Sequence, residues 1–159
     1  MIFGGTVFWI TIPFFIIILS PYFDHLLHLP RFRYGLLNPV IALVFMVSGW
    51  LFANWTVKAQ YSIGKGTPIP LVATQKLVVR KPYTYCRNPM ALGTSVFYLG
   101  IAVWMGSLSA LGLGLIYPVE ISIYNRFIEE KELEDRFGRE YLEYKRRTPF
   151  IIPRLQKKP

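Results

Sequence analysis

The sequence predicts an all-helical integral membrane fold, with four transmembrane helices and a C-terminal helical extension on the cytoplasmic side. Three observations predict it. Hydrophobic residues make up 53% of a chain of only 159 residues, and its mean hydropathy is positive. The apolar residues gather into four runs of nearly bilayer-spanning length. The Lys and Arg residues all fall outside those runs. The length suits a single domain covering residues 1–159.

The first helix is expected at about residues 2–20. Ile2 to Leu19 carry no charge, and about 20 apolar residues cross the hydrocarbon. A secretory signal would open on Lys or Arg and close on small residues, so a retained helix is expected. Pro13 can kink it, and Ser20-Pro21 should end it. The second helix is expected at about 38–57, with Pro39 in its first turn, where the missing N–H is no loss. Trp50 and Trp55 lie towards one end, as interfacial aromatics do. A third helix is expected at 91–105. A tight turn at Gly106-Ser107 leads to a fourth, which continues as a soluble helix over 108–145. Glu129 to Arg136 mix charges there, Gly138 interrupts the pattern, Tyr141, Leu142 and Tyr144 give a half-apolar face, and Pro149 and Pro153 stop further helix.

Charge sets the orientation. The segment Lys58 to Arg87 holds six Lys or Arg and no acid, and the tail from Arg126 holds ten, against only Arg31 and Arg33 between the first two helices. Four crossings put the two basic segments on one side, which the positive-inside rule makes cytoplasmic. The net charge of +9 then follows from topology and lipid contact, and nucleic-acid binding is not required. The single cysteine, Cys86, allows no internal disulfide and no zinc cluster. His25 and His28 share one loop without supporting ligands beyond Asp24, and interfacial histidines are the favoured reading.

Two segments carry chemistry. Gly64 to Pro70 is a turn-rich linker that neither follows a strand nor opens a helix, so it is no nucleotide-binding loop. The segment Leu77 to Gly93 packs Tyr83, Tyr85, Arg87 and Asn88-Pro89 directly before the third helix. Asn88 suits its cap and Pro89 its first turn, and free N–H groups there attract an anion such as a carboxylate. A capped helix with snorkelling cations would explain Asn88-Pro89 alone, but it explains Tyr-x-Tyr-x-Arg less well.

The second segment is Glu129-Glu130, just past the fourth apolar run. Residue physics alone favours a solvated helical face, with Arg126 and Glu130 paired at i, i+4. Against it, Ser122, Asn125, Arg126 and Glu129 form one polar stripe leading from the membrane. Glu120 lies inside the fourth apolar run. An intramembrane carboxylate is costly and points to function, yet an interfacial or protonated Glu120 fits equally well.

Together these residues resemble a known group. Leu77-Val78, then Pro82-Tyr83-x-Tyr85-x-Arg87-Asn88-Pro89-Met90 and Gly93, then Glu129-Glu130, Leu133, Phe137-Gly138, Tyr141, Tyr144, Pro149 and Pro153 are similar to the isoprenylcysteine carboxyl methyltransferase and phospholipid methyltransferase superfamily. The resemblance covers about the C-terminal half. It implies a membrane-embedded enzyme that holds S-adenosylmethionine near the cytoplasmic face. By similarity the cofactor-contacting positions are Gln75, Lys76, Leu77, Val78, Tyr83, Arg87, Asn88, Pro89, Met90, Ala91 and Glu129, within a loop spanning 75–91. Arg126, Glu130 and Glu120 are the catalytic candidates.

The chain departs from the prenylcysteine pattern. Asn88 stands where His is usual, Ala91 where Tyr is usual, and Lys81 where Gly is usual. Asn125 occupies the position of the arginine that meets the substrate carboxylate, and Arg126 is displaced by one residue, about 100° around a helix. The expected acceptor is therefore a neutral or amine-bearing lipophilic molecule. Two other readings compete: a membrane reductase of the sterol type using a nicotinamide dinucleotide, and a non-catalytic protein on the same scaffold.

Overall fold

The computed structural model describes residues 7–65 and 74–153, and among these it is all-helical. A π-helical turn, Val7–Thr11, opens into α1, Ile12–Leu26. Next come α2, Leu37–Ala59, and a second π turn, Gln60–Gly64. α3 is Pro89–Met105 and α4 is Leu108–Tyr124. A third π turn, Asn125–Glu129, precedes α5, Glu130–Phe137, and α6, Arg139–Arg147. The start of the expected first helix, part of the Gly64–Pro70 linker and the last residues of the tail lie outside the described residues.

Two helical stretches are long and apolar enough to cross a membrane, Trp9–Leu26 and Leu37–Gly64, while α3 is apolar but shorter. Their surfaces carry large apolar side chains: Phe14 and Ile18 on α1, and Val40, Leu43 and Val44 on α2, are all exposed. Lipid satisfies such a surface and water does not.

Two expectations change. Ser20-Pro21 does not end the first helix, which runs on to Leu26 with Pro21 inside it. A proline withdraws one N–H from the ladder, and neighbouring contacts hold the next turn. Asp24 Oδ1 accepts the Ser109 N–H at 3.0 Å, and buried Ser20 Oγ lies 3.6 Å from Met105 Sδ. Nor is 108–145 one helix. The Asn125–Glu129 π turn interrupts it, and Gly138, at φ +52°, separates α5 from α6. That backbone conformation favours glycine.

The described residues form two compact units. The first comprises those up to Trp50 together with Gly93–Val119. Its helices approach closely because small residues face one another. A Cβ on Gly49 would lie 2.6 Å from Gly93 O and Phe97 N, and one on Gly100 would lie 2.9 Å from Met46 N. Such small-residue contact is how apolar helices pack in lipid. Asn38 adds polar connections, accepting the Tyr34 N–H and donating to the Phe32 and Val103 carbonyls.

The second unit comprises the described residues of Leu51–Leu92 and those from Glu120 on. Its loop is tied down by its own backbone. Gln75 and Lys76 donate to Gly64 O, Arg87 N donates to Pro149 O at 2.9 Å, and Asn88 N donates to Phe150 O at 3.1 Å. The Asn88 carbonyl accepts the Leu92 N–H, which places Asn88 at the N-cap of α3.

Candidate active site

The second unit encloses an open-mouthed cleft with about 530 Å³ of empty space, solvent at the mouth included. Gln60 enters from the second π turn. Thr74, Leu77, Val78, Tyr83, Arg87 and Asn88 come from the loop. Asn125 and Glu129 come from the third π turn, Glu130 and Leu133 from α5, and Tyr141 and Tyr144 from α6.

The π turn decides which side chains point inward. The Glu130 N–H donates to the Asn125 carbonyl five residues back, so the turn is wider than an α-helical one. Asn125 and Glu130 are both buried, while Arg126 is exposed. The one-residue displacement of the arginine is not absorbed by the turn, and the neutral amide takes the inward position.

Glu130 is the electrostatic centre of the unit. Its Oε1 lies 2.9 Å from Arg87 Nη1 and its Oε2 lies 2.8 Å from Lys145 Nζ, which also pairs with Glu134. Hydrogen bonds to Glu130 and then Glu134 raise the Lys145 pKa. Arg87 further stacks over the Phe150 ring, 5.5 Å from its centroid. Arg87 Nε is buried without a hydrogen-bond partner among the described residues, so it retains donor capacity. The Arg126–Glu130 pair expected from i, i+4 spacing does not form, because the π turn rotates Glu130 inward.

Glu129 has a different environment. It reaches the cleft half-buried, and neither Arg87 nor Lys145 is paired with it. Burial first, then Glu132 and Glu130, push its pKa up to about 7. Its Oε2 lies 2.9 Å from one end of the Asn125 amide. The other end of that amide meets Asn88 Oδ1 at 2.6 Å, and Asn88 Nδ2 donates to the Phe150 carbonyl at 3.1 Å.

The tyrosines wall the cleft. Tyr83 donates its hydroxyl to Gln60 Oε1, and Tyr144 donates to the Tyr83 carbonyl at 2.8 Å. Burial raises the pKa of Tyr83, Tyr141 and Tyr144, so all three stay neutral hydroxyls. Cys86 is buried nearby, its thiol pushed up to about 11 by burial, which makes it unreactive.

Of the residues singled out from sequence, Leu77, Val78, Tyr83, Arg87, Asn88, Glu129 and Glu130 line the cleft. Gln75 and Lys76 have exposed side chains and contribute backbone ties to Gly64. Pro89, Met90 and Ala91 form the first turn of α3 and do not line the cleft. Glu120 is exposed on α4, and Arg126 is exposed on the π turn, so neither catalytic candidate reaches it. Tyr85 turns away, edge-on to Trp55. Gln60, Thr74 and Asn125 were not among the expected cofactor contacts. Asn125 was signalled by the polar stripe, and Gln60 by nothing local.

Two long apolar helical stretches among the described residues and the family of the chain point to a membrane protein. The chain belongs to the Phospholipid methyltransferase family, which matches residues 37–140 and sits within the isoprenylcysteine and phospholipid methyltransferase superfamily. Two curated relatives are similar over shorter stretches. The cobalt-zinc-cadmium resistance protein CzcN of Cupriavidus metallidurans is 37% identical over 84 residues, which is 50% of this chain and 36% of that protein. The nickel-cobalt-cadmium resistance protein NccN of Alcaligenes xylosoxydans xylosoxydans is 32% identical over 85 residues, 50% of this chain and 37% of that protein. The matched segments thus span little more than a third of these relatives. No solved structure matches the chain.

Proposed function

We propose that the chain is a multi-pass membrane methyltransferase that uses S-adenosylmethionine to methylate a lipophilic acceptor in the bilayer. The carrying observation is the contrast between two adjacent glutamates. Glu130 is matched by two cations, whereas Glu129 opens into the same cleft with none paired to it among the described residues. A carboxyl placed in this way suits a ligand that brings its own positive charge.

The cleft residues fit the cofactor's chemistry. Glu129 offsets a sulfonium or ammonium. Tyr83, Tyr141 and Tyr144, with Leu77, Val78 and Leu133, give flat apolar walls for an adenine. Arg87 Nε remains free to donate to a carboxylate. When bound, the cofactor supplies an electrophilic methyl group. The chain's own contribution is to bind, orient and exclude water.

The acceptor follows from Asn125. A buried carboxylate needs a cation, and the inward position holds a neutral amide while Arg126 is exposed. A neutral or amine-bearing lipid therefore fits better than a prenylcysteine carboxylate. Glu130 lines the cleft, but both its oxygens are engaged by Arg87 and Lys145, so an amine that arrives unprotonated suits the site. Four crossings, with the cleft at the cytoplasmic face, agree with the distribution of Lys and Arg. The basic surface then meets anionic lipid and has no role toward nucleic acid.

Methyl transfer from labelled S-adenosylmethionine to an aminophospholipid and to farnesylcysteine tests this reading. Label is expected in the first, with little in the second. Robust methylation of farnesylcysteine alone would overturn the acceptor assignment.

A further inference from the structure

We propose that the first unit binds an anionic phospholipid, apart from the cleft. Arg31 and Arg33 hold its phosphate, and a wall of Ile17, Pro21, Trp104 and Met105 lies along its glycerol and acyl chains.

These residues line a second cavity, wholly within the first unit, with about 1040 Å³ of empty space, open solvent included. None of its residues lines the cleft. It sits where α1 ends at Leu26, α2 begins at Leu37 and α3 ends at Met105. The two helical stretches that can cross a membrane both have an end here. In the proposed topology the cavity therefore opens at the depth of lipid headgroups.

The backbone holds both arginines in place. Residues 29–34 belong to no helix, yet Phe32 N donates to Gly106 O at 3.0 Å. Buried Asn38 donates from Nδ2 to the Phe32 carbonyl at 3.1 Å and to the Val103 carbonyl at 2.8 Å, and its Oδ1 accepts the Tyr34 N–H at 2.8 Å. The peptide groups on both sides of Arg33 are thus fixed to α2, and Phe32 is fixed to the α3–α4 turn. A Cβ at Gly106 would strike the Phe32 carbonyl and lie 3.3 Å from Arg33 Cγ, so this close approach needs the glycine. Arg31 and Arg33 both line the cavity, and Phe32 between them does not.

Their charge is left for a ligand. Neither arginine forms an ion pair among the described residues. Asp24 is near enough to interact with Arg31, but it is buried and its Oδ1 accepts the Ser109 N–H at the start of α4. No other Lys or Arg lies between the first two helices, on the side where the positive-inside rule leaves few. Two neighbouring guanidinium groups match a phosphate, whose oxygens accept several charge-assisted hydrogen bonds.

The apolar wall favours a lipid over a free phosphate. Ile17 and Pro21 are one turn apart on α1 and share a face, and Ile17 and Trp104 are 47% and 62% exposed. A soluble phosphate engages the arginines alone. A phospholipid engages them with its headgroup and the wall with its chains. It is held there as a bound ligand, with no role as methyl acceptor.

The test is native mass spectrometry of the full chain in detergent, titrated with phosphatidylglycerol, phosphatidylcholine and glycerol 3-phosphate. Phosphatidylglycerol is expected to bind at least about tenfold more tightly than either, because the choline cation opposes the arginines and the free headgroup lacks chains. The preference should vanish in Arg31→Gln/Arg33→Gln and persist in Arg80→Gln/Arg147→Gln, which removes the same charge elsewhere. Equal affinity of the parent for the two lipids, or the same preference in both double variants, overturns the proposal. Glycerol 3-phosphate binding as tightly as phosphatidylglycerol overturns the lipid assignment in favour of a soluble phosphate. A second measurement decides if the arginine variants do not fold. Phosphatidylglycerol brominated on its acyl chains should give saturable quenching of tryptophan fluorescence that is lost in Trp104→Phe, and quenching unchanged in that variant overturns the proposal. None of these outcomes bears on methyl transfer.

Discussion

Arg87 Nη1 lies 2.9 Å from Glu130 Oε1, and that contact gives two adjacent glutamates different roles. Glu130 is engaged by two cations, and Glu129 is the carboxyl proposed to meet a ligand. Glu130→Gln should destabilise the protein by roughly 3–5 kcal/mol, the usual cost of leaving a buried ion unpaired. Arg87 carries most of that cost, since the more exposed Lys145 can turn to solvent. Thermal unfolding in detergent checks it. Glu129→Gln, below about pH 5, should change stability by less than about 1 kcal/mol, because there it replaces a neutral acid and keeps the shape and a hydrogen-bonding end.

Glu129 also predicts a pH dependence of the empty protein. Its pKa rises from an ordinary 4.5 to about 7 in the fold, so the folded state binds more protons than the unfolded chain between those values. The stability from this group is complete below about pH 4.5 and is lost as pH rises through about 7. Melting temperatures across that window should fall less steeply with pH in Glu129→Gln than in the parent. Parallel profiles would show that Glu129 titrates normally.

Close helix packing in the first unit gives a third expectation. A Cβ at Gly49 would meet Gly93 O and Phe97 N at 2.6 Å, whereas nothing lies within 4 Å of one at Gly112. Gly49→Ala should cost roughly 1–3 kcal/mol through overpacking. Gly112→Ala should be neutral or stabilising, since alanine is the better helix former. Equal melting shifts for the two would contradict the packing.

The proposed topology is tested by labelling single cysteines in sealed vesicles. Arg80→Cys and Arg147→Cys should react from the cytoplasmic side only, and Tyr34→Cys and Leu108→Cys from the other side only. Buried Cys86 should stay silent. Labelling of Arg80→Cys and Arg147→Cys from opposite faces would rule out four crossings.

Much of this was legible in the sequence, because apolar runs and Gly/Pro punctuation are local signals. The second and third helices fall within two residues of expectation, and the Gly106 turn, at φ +59°, lies where it was placed. The first helix runs past its expected end because a tertiary contact at Asp24 outweighs the proline signal. Glu130, a candidate from sequence, lines the cleft, but its partners are not the expected Arg126, because i, i+4 reasoning assumes an uninterrupted α-helix and the π turn adds a residue. Gln60 could not be found from sequence, since its partner Tyr83 is 23 residues away.

The central claim is that Glu129 receives a cationic cofactor in the cleft. Equilibrium binding of S-adenosylmethionine and of NADPH to the purified protein, in the parent and in Glu129→Gln, tests it most directly. The account predicts binding of the first and not the second, with affinity falling more than about tenfold in the variant, as loss of a charge-assisted contact of ~1.5–3 kcal/mol requires. NADPH binding without S-adenosylmethionine binding, or equal cofactor affinity in parent and variant, would contradict it.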